Sequence, residues 1–150
     1  REKVPVVTSE QTPFEIGKAE IFYEGKDVTV IAMGQMVYRA LLAAKDLEKS
    51  KTSVRVINCH TIKPIDTKTI LEAAQQTGAI VTVEEHQITG GLGGAVAEVL
   101  SQNCPVPLKI IGIEDRFGES GEPNELLEKF GLTKEAIIKA VKHVLGMKEK

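Results

Sequence analysis

The sequence predicts an α/β domain: a mainly parallel sheet with helices on both faces and one antiparallel edge strand. Three observations predict it. Apolar runs at strand period alternate with apolar stripes at helical period along the chain. The run at residues 27–33 is apolar on both of its sides, which suits a central strand covered twice. Glycine, proline and capping residues fall between the runs rather than inside them. Such alternation brings right-handed crossovers, and hence parallel neighbours.

The first strand is expected over residues 19–23 and the second over 27–33, with Gly25 in the turn between them. The first is short and is the expected antiparallel edge. In the second, Val28, Val30 and Ala32 alternate with Thr29, Ile31 and Met33. After Gly34 the period changes, and Val37, Ala40, Leu41, Ala44 and Leu47 form one stripe of an amphipathic helix.

A third strand follows over residues 54–59, rich in β-branched side chains. Beyond Lys63-Pro64, Asp66 is placed to cap a helix that runs through Ala74 and stops at Gly78. The fourth strand is AIVTVEE, residues 79–85, and a glycine-rich turn leads from it into the helical pattern of GGAVAEVL, where Val96, Val99 and Leu100 share a face. Pro105 and Pro107 frame the entry to the fifth strand, residues 108–114.

The polar loop DRFGESGE precedes a helix that starts at Pro123 and stops at Gly131. A last helix begins at Thr133 and carries Ile137, Ala140, Val141, Val144 and Leu145 on one side, and its lysine-rich tail is expected to fray. Residues 1–17, with Pro5 and Pro13, read as an extended linker, which leaves 18–150 as the domain.

Composition narrows the function. The chain has 150 residues, 42% of them hydrophobic and 27% charged, so it has room for one core. A net charge of −2 argues against a nucleic-acid binder with a broad basic face. No run of about 18 uncharged apolar residues suggests a membrane span, and REKVPVVTSEQ has no secretory apolar region. Cys59 and Cys104 sit in no metal-ligand spacing and no CxxC, so both are expected as reduced thiols of a cytoplasmic protein.

In an open α/β sheet, ligands bind beyond the carboxyl ends of the strands. The most suggestive of those ends is Glu84-Glu85-His86, next to TGGLGG at a helix start whose N–H groups can hold an anion. Glycines at Gly90, Gly91, Gly93 and Gly94 also serve a tight turn and close helix packing, and that plain reading stands beside the anion-site reading. No dinucleotide fingerprint is completed, because Val96 occupies the third glycine's place, and no phosphate loop with a GK[ST] ending is present. For His86 a helix-start hydrogen bond or an interface role is favoured over acid–base work, since Glu84 and Glu85 point to opposite faces of a continuing strand. His60 reads as a loop histidine, and His143 as a surface residue of the last helix.

Four strings and one helix in order resemble one family: FEIGKAEIFYEGKDVTVIAMG, VRVINCHTIKPID, VTVEEHQITGGLGGAVAEVL and GEPNELLEKFGLTKEAI, with the amphipathic helix after the first. Together they cover most of the chain and resemble the C-terminal domain of transketolases. The wider thiamine-diphosphate family also includes deoxyxylulose phosphate synthases and the β subunits of 2-oxoacid dehydrogenases. The resemblance implies a three-layer α/β/α domain with a five-stranded sheet, mostly parallel with one antiparallel edge.

It also implies a homodimeric enzyme that moves a two-carbon ketol unit from a ketose phosphate to an aldose phosphate. The cofactors would be thiamine diphosphate and a divalent metal, Mg or Ca, bound by other domains or a separate subunit; none is expected in this chain, which lacks a GDG motif and a pyrimidine-binding half. By the resemblance Arg1 stands where an arginine binds the sugar phosphate, since a guanidinium fork matches phosphate oxygens. No general acid or base carries over, so the chain alone is expected to be inactive. Glu85, His86, Gly90 and Gly91 are then the candidates for an assembly surface or a small anion site. The alternatives are the C-terminal domain of a deoxyxylulose phosphate synthase or of a 2-oxoacid dehydrogenase β subunit, and a free-standing phosphate- or nucleotide-binding module built on the GGLGG helix start.

Overall fold

The computed structural model describes residues 4–148. Its sheet has five strands: β1 (Glu20–Tyr23), β2 (Val28–Ala32), β3 (Val54–Asn58), β4 (Ile80–Gln87) and β5 (Leu108–Ile113). They lie in the order β1-β3-β2-β4-β5. Only β1 pairs antiparallel, with β3; the other pairings are parallel. The central position expected for β2 is the one it takes, and all five of its residues are buried.

The helices are α1 (Met36–Lys49), α2 (Thr67–Thr77), α3 (Leu92–Asn103), α4 (Pro123–Lys129) and α5 (Lys134–Lys148). Strand alternation sorts the core into two. Val28, Val30, Val56, Val81 and Val83 pack with α1 and α5, whereas Ile31, Ile57 and Ile80 pack with α2 and α3. Each such fully buried aliphatic side chain contributes about 1.5–3 kcal/mol of transfer free energy. The result is the expected three-layer arrangement.

Local signals place the helix ends well. Asp66 accepts the backbone N–H of Thr69 at 3.1 Å and the Thr69 hydroxyl at 2.8 Å, and Gly78 closes α2 at φ +66°, a conformation that suits a residue without a side chain. Thr133 caps α5 through the N–H of Ala136 at 3.1 Å.

Two expectations change. Strand β4 runs to Gln87, two residues further than expected, with its register against β5 shifting between Val83 and Gln87. Within the expected frayed tail, Met147 and Lys148 are helical, and Lys148 donates to the carbonyls of Thr77 (2.7 Å) and Asp27 (3.2 Å). Those carbonyls, left free where α2 ends and before β2 starts, give the ammonium group acceptors that its own segment does not supply.

Candidate functional site

The connections create a crevice at one place. From β2 the chain leaves through α1 towards β3, and from β4 it leaves through α3 towards β5, so the two central neighbours diverge at their carboxyl ends. That is where an open α/β sheet receives a ligand or partner. A cavity of about 340 Å³ lies there, lined by Met33-Gly34-Gln35 after β2, by Ile62, and by Glu84, Glu85, His86, Gly90 and Gly91. All four described candidates from the sequence therefore meet at one site; Arg1 lies outside the described residues.

Alternation sends the two glutamates in opposite directions, as expected. Glu84 is fully buried on the α3 side and accepts the N–H of Leu92 and the N–H of Gly93, each at 2.8 Å. Glu85 is exposed and accepts the side-chain amide of Gln35. His86 is also exposed; its Nδ1 donates to the Gln87 carbonyl at 2.8 Å and stands 3.8 Å from the Glu84 carboxylate.

The anion at this helix start is therefore the protein's own. The expected open N–H groups are taken by Glu84, and His86 makes no bond to the helix start. Glycine at 91 is what lets the carboxylate in: a Cβ there would lie 2.0 Å from Glu84 Oε2 and 2.9 Å from His86 Nδ1. Gly90, at φ +79°, only turns the loop, with open space around it. The sequence signal for Glu84 was its parity with Ile80, whose face is covered by α2 and α3.

The remaining lining of the carboxyl-end face comes from the segment before β1. Val4–Thr8 border a second depression of about 280 Å³ with Gly34, Gln35 and Tyr38. Further along, the Phe14 ring stacks on His60 at 4.4 Å, His60 Nδ1 lies 2.9 Å from the Thr61 hydroxyl, and Asp66 accepts the N–H of Ala19 at 3.0 Å. Val6, Phe14 and Ile16 nonetheless turn outward, each more than 70% exposed. So does Phe117, in the loop after β5. The carboxyl-end face thus carries apolar side chains on its rim, a pattern of interaction surfaces.

Two ionisable groups nearby are set by structure rather than for chemistry. Burial opposes the charge of Asp66, but the N–H groups of Thr69 and Ala19, the Thr69 hydroxyl and the charge of Lys18 outweigh it and hold the carboxyl below its ordinary value. Burial, then the neighbouring Asp66 charge, pushes the Cys59 thiol up to about 11. Both cysteines are free thiols.

No three His, Cys, Asp or Glu side chains cluster as a metal site among the described residues. At the helix start a diphosphate would meet the Glu84 carboxylate instead of free donors. The residues here do not fit a metal–diphosphate cofactor. No helix is long and apolar enough to cross a membrane among the described residues.

The sequence profile of the family described as "Transketolase, C-terminal domain" matches residues 17–137. The chain belongs to the transketolase C-terminal domain family. It is 47% identical over 142 residues to the 6-deoxy-6-sulfo-D-fructose transketolase subunit of Clostridium sp. (strain MSTE9), covering 95% of this chain and 44% of that protein. A 1-deoxy-D-xylulose-5-phosphate synthase of Trichormus variabilis is 42% identical over 139 residues, 92% of this chain and 22% of that protein. Among solved structures, a split-gene transketolase described as an inactive β4 tetramer superposes with a TM-score of 0.95 at 48% identity, covering 99% of this chain and 48% of that one. This transketolase C-terminal domain spans less than half the length of these relatives.

Proposed function

We propose that this chain is the assembly domain of a transketolase, a transferase that moves a two-carbon ketol unit from a ketose phosphate to an aldose phosphate. Thiamine diphosphate and a divalent metal, Mg or Ca, belong to other domains or to a partner subunit, and the complete enzyme is a cytoplasmic homodimer of such units. Residues 1–17 lead from an upstream pyrimidine-binding domain, and Arg1 offers its guanidinium to the sugar phosphate. Glu85, His86, Gly90 and Gly91, with the apolar rim of Val6, Phe14 and Ile16, form the surface that meets the thiamine-binding portion.

One observation carries this reading: at the crevice the polar groups are spent on the fold itself. Glu84 holds α3, Glu85 holds Gln35, and what remains exposed is a histidine beside a glycine turn and an apolar rim. That is the chemistry of a contact surface rather than of a proton-transfer site. The similarity to a deoxyxylulose phosphate synthase supports a second reading, in which the same domain serves that enzyme.

The test is a transketolase assay on the chain alone and after mixing with the complementary thiamine-binding portion, with size-exclusion chromatography of both. Activity and a larger complex only in the mixture are expected. Turnover by the chain alone would overturn the proposal, and activity of the mixture only with pyruvate and glyceraldehyde phosphate would favour the synthase.

A further inference from the structure

The far edge of the sheet carries a second site, independent of the assembly reading. Among the described residues no strand lies beyond β5. The carbonyls of Pro107 and Ile113 accept from Ile80 and Ile88, so the odd-numbered residues of β5 bond towards β4. By alternation Leu108, Ile110 and Gly112 turn their N–H and C=O groups outward, unpaired.

Alongside this edge runs a groove of about 540 Å³. Its other wall is a stripe of α5 at helical spacing, Ala136, Lys139, Ala140 and His143, whose two alanines leave room for a chain to lie between helix and strand. Phe130 closes one end, with the Arg116 guanidinium stacked 4.2 Å from its ring centre.

The groove is basic although the whole chain carries a net charge of −2. Lys109, Lys129, Lys139 and Arg116 line it against a single acid, Glu114. Lys129 pairs with Glu119, but Lys109 and Lys139 have no hydrogen-bond or ion-pair partner among the described residues. Lys109 shares the parity of Ile111, which packs in the α1/α5 core, and so stands on the same side of the sheet as Lys139.

We propose that this groove binds an extended, carboxylate-rich segment of a partner protein, which adds to β5 as a sixth strand. Its backbone takes the outward groups of Leu108, Ile110 and Gly112, its acidic side chains meet Lys109 and Lys139, and small apolar side chains settle over Ala136 and Ala140. About five extended residues span that stretch. A second copy of this chain does not fit, because its own β5, LKIIGI, brings a lysine and no carboxylate to the groove.

The probe is a synthetic peptide of about ten residues alternating Glu and Val, titrated against the isotopically labelled chain by NMR hydrogen exchange and by fluorescence anisotropy. New protection at the amides of Leu108, Ile110 and Gly112 is expected. Methylating alternate backbone nitrogens of the peptide, which leaves the protein untouched, weakens binding about tenfold or more by removing edge hydrogen bonds. The double variant Lys109→Glu/Lys139→Glu, at two exposed positions, weakens it by about tenfold as well. Three outcomes overturn the proposal: no protection at those amides with millimolar peptide, equal binding by the methylated peptide, or full competition by pyrophosphate, which would mark simple charge attraction.

Discussion

Two helices on the same side of the sheet, α2 and α3, begin in different ways. Helix α2 is capped by the residue before it: Asp66 bonds the N–H of Thr69, three positions on. Helix α3 is preceded by Gly91, which has no capping side chain, and its Leu92 and Gly93 are held by Glu84 of the preceding strand, eight and nine positions back. The first cap forms with one turn of backbone, whereas the second exists only when β4, its loop and α3 have all come together. A local cap stabilises a helix; a remote one ties a helix to the sheet.

The harshest way to break this contrast is Glu84→Ala. It leaves two buried N–H groups without an acceptor, and a loss of about 3 kcal/mol or more is expected in urea unfolding. A change below about 1 kcal/mol would mean that α3 does not depend on the sheet for its start.

Gly91→Ala comes next. Its Cβ would stand 2.0 Å from the carboxylate oxygen, so something must shift, and about 2 kcal/mol is expected. Combined with Glu84→Ala the penalty should largely vanish, since the atom in the way is gone. Strict additivity of the two changes would contradict the shared contact.

Asp66→Ala is milder, about 1–2 kcal/mol, because a local cap is a smaller unit. It also has a pH signature. The folded carboxyl lies below its ordinary value, so its contribution is complete above the unfolded pKa and is lost as pH falls through the folded one. The stability gap between the wild type and Asp66→Asn should therefore shrink in acid, below about pH 4. A gap that widens there would reverse the assignment.

The smallest effect is read at Cys59. With the thiol pushed up to about 11 and the side chain buried, it should resist a thiol reagent at pH 8 in a Cys104→Ser background, and Asp66→Asn should speed labelling modestly by removing a neighbouring charge.

The same contrast explains what the sequence disclosed. Asp66, Gly78, Pro123 and Thr133 act on residues within four positions of themselves, and their roles could be read directly. The double-sided apolarity of Val28–Ala32 likewise told of a central strand. Alternation separates Glu84 from Glu85 in the sequence, but the partners of Glu84 depend on how the loop returns, so the sequence leaves both the anion-site and the tight-turn readings of the helix start open. The β5 groove was hidden for a similar reason: Lys109 and Lys139 lie thirty positions apart, and only the packing of α5 on β5 makes them neighbours.

The carboxylate under α3 also makes the helix start a latent receptor. Shortening that one side chain to glycine would leave two inward-pointing donors around a void the size of propionate. Small carboxylates from solution, propionate above all, should then restore part of the lost stability, as in chemical rescue. The domain that supplies its own anion to α3 would thus be one substitution away from holding a foreign one.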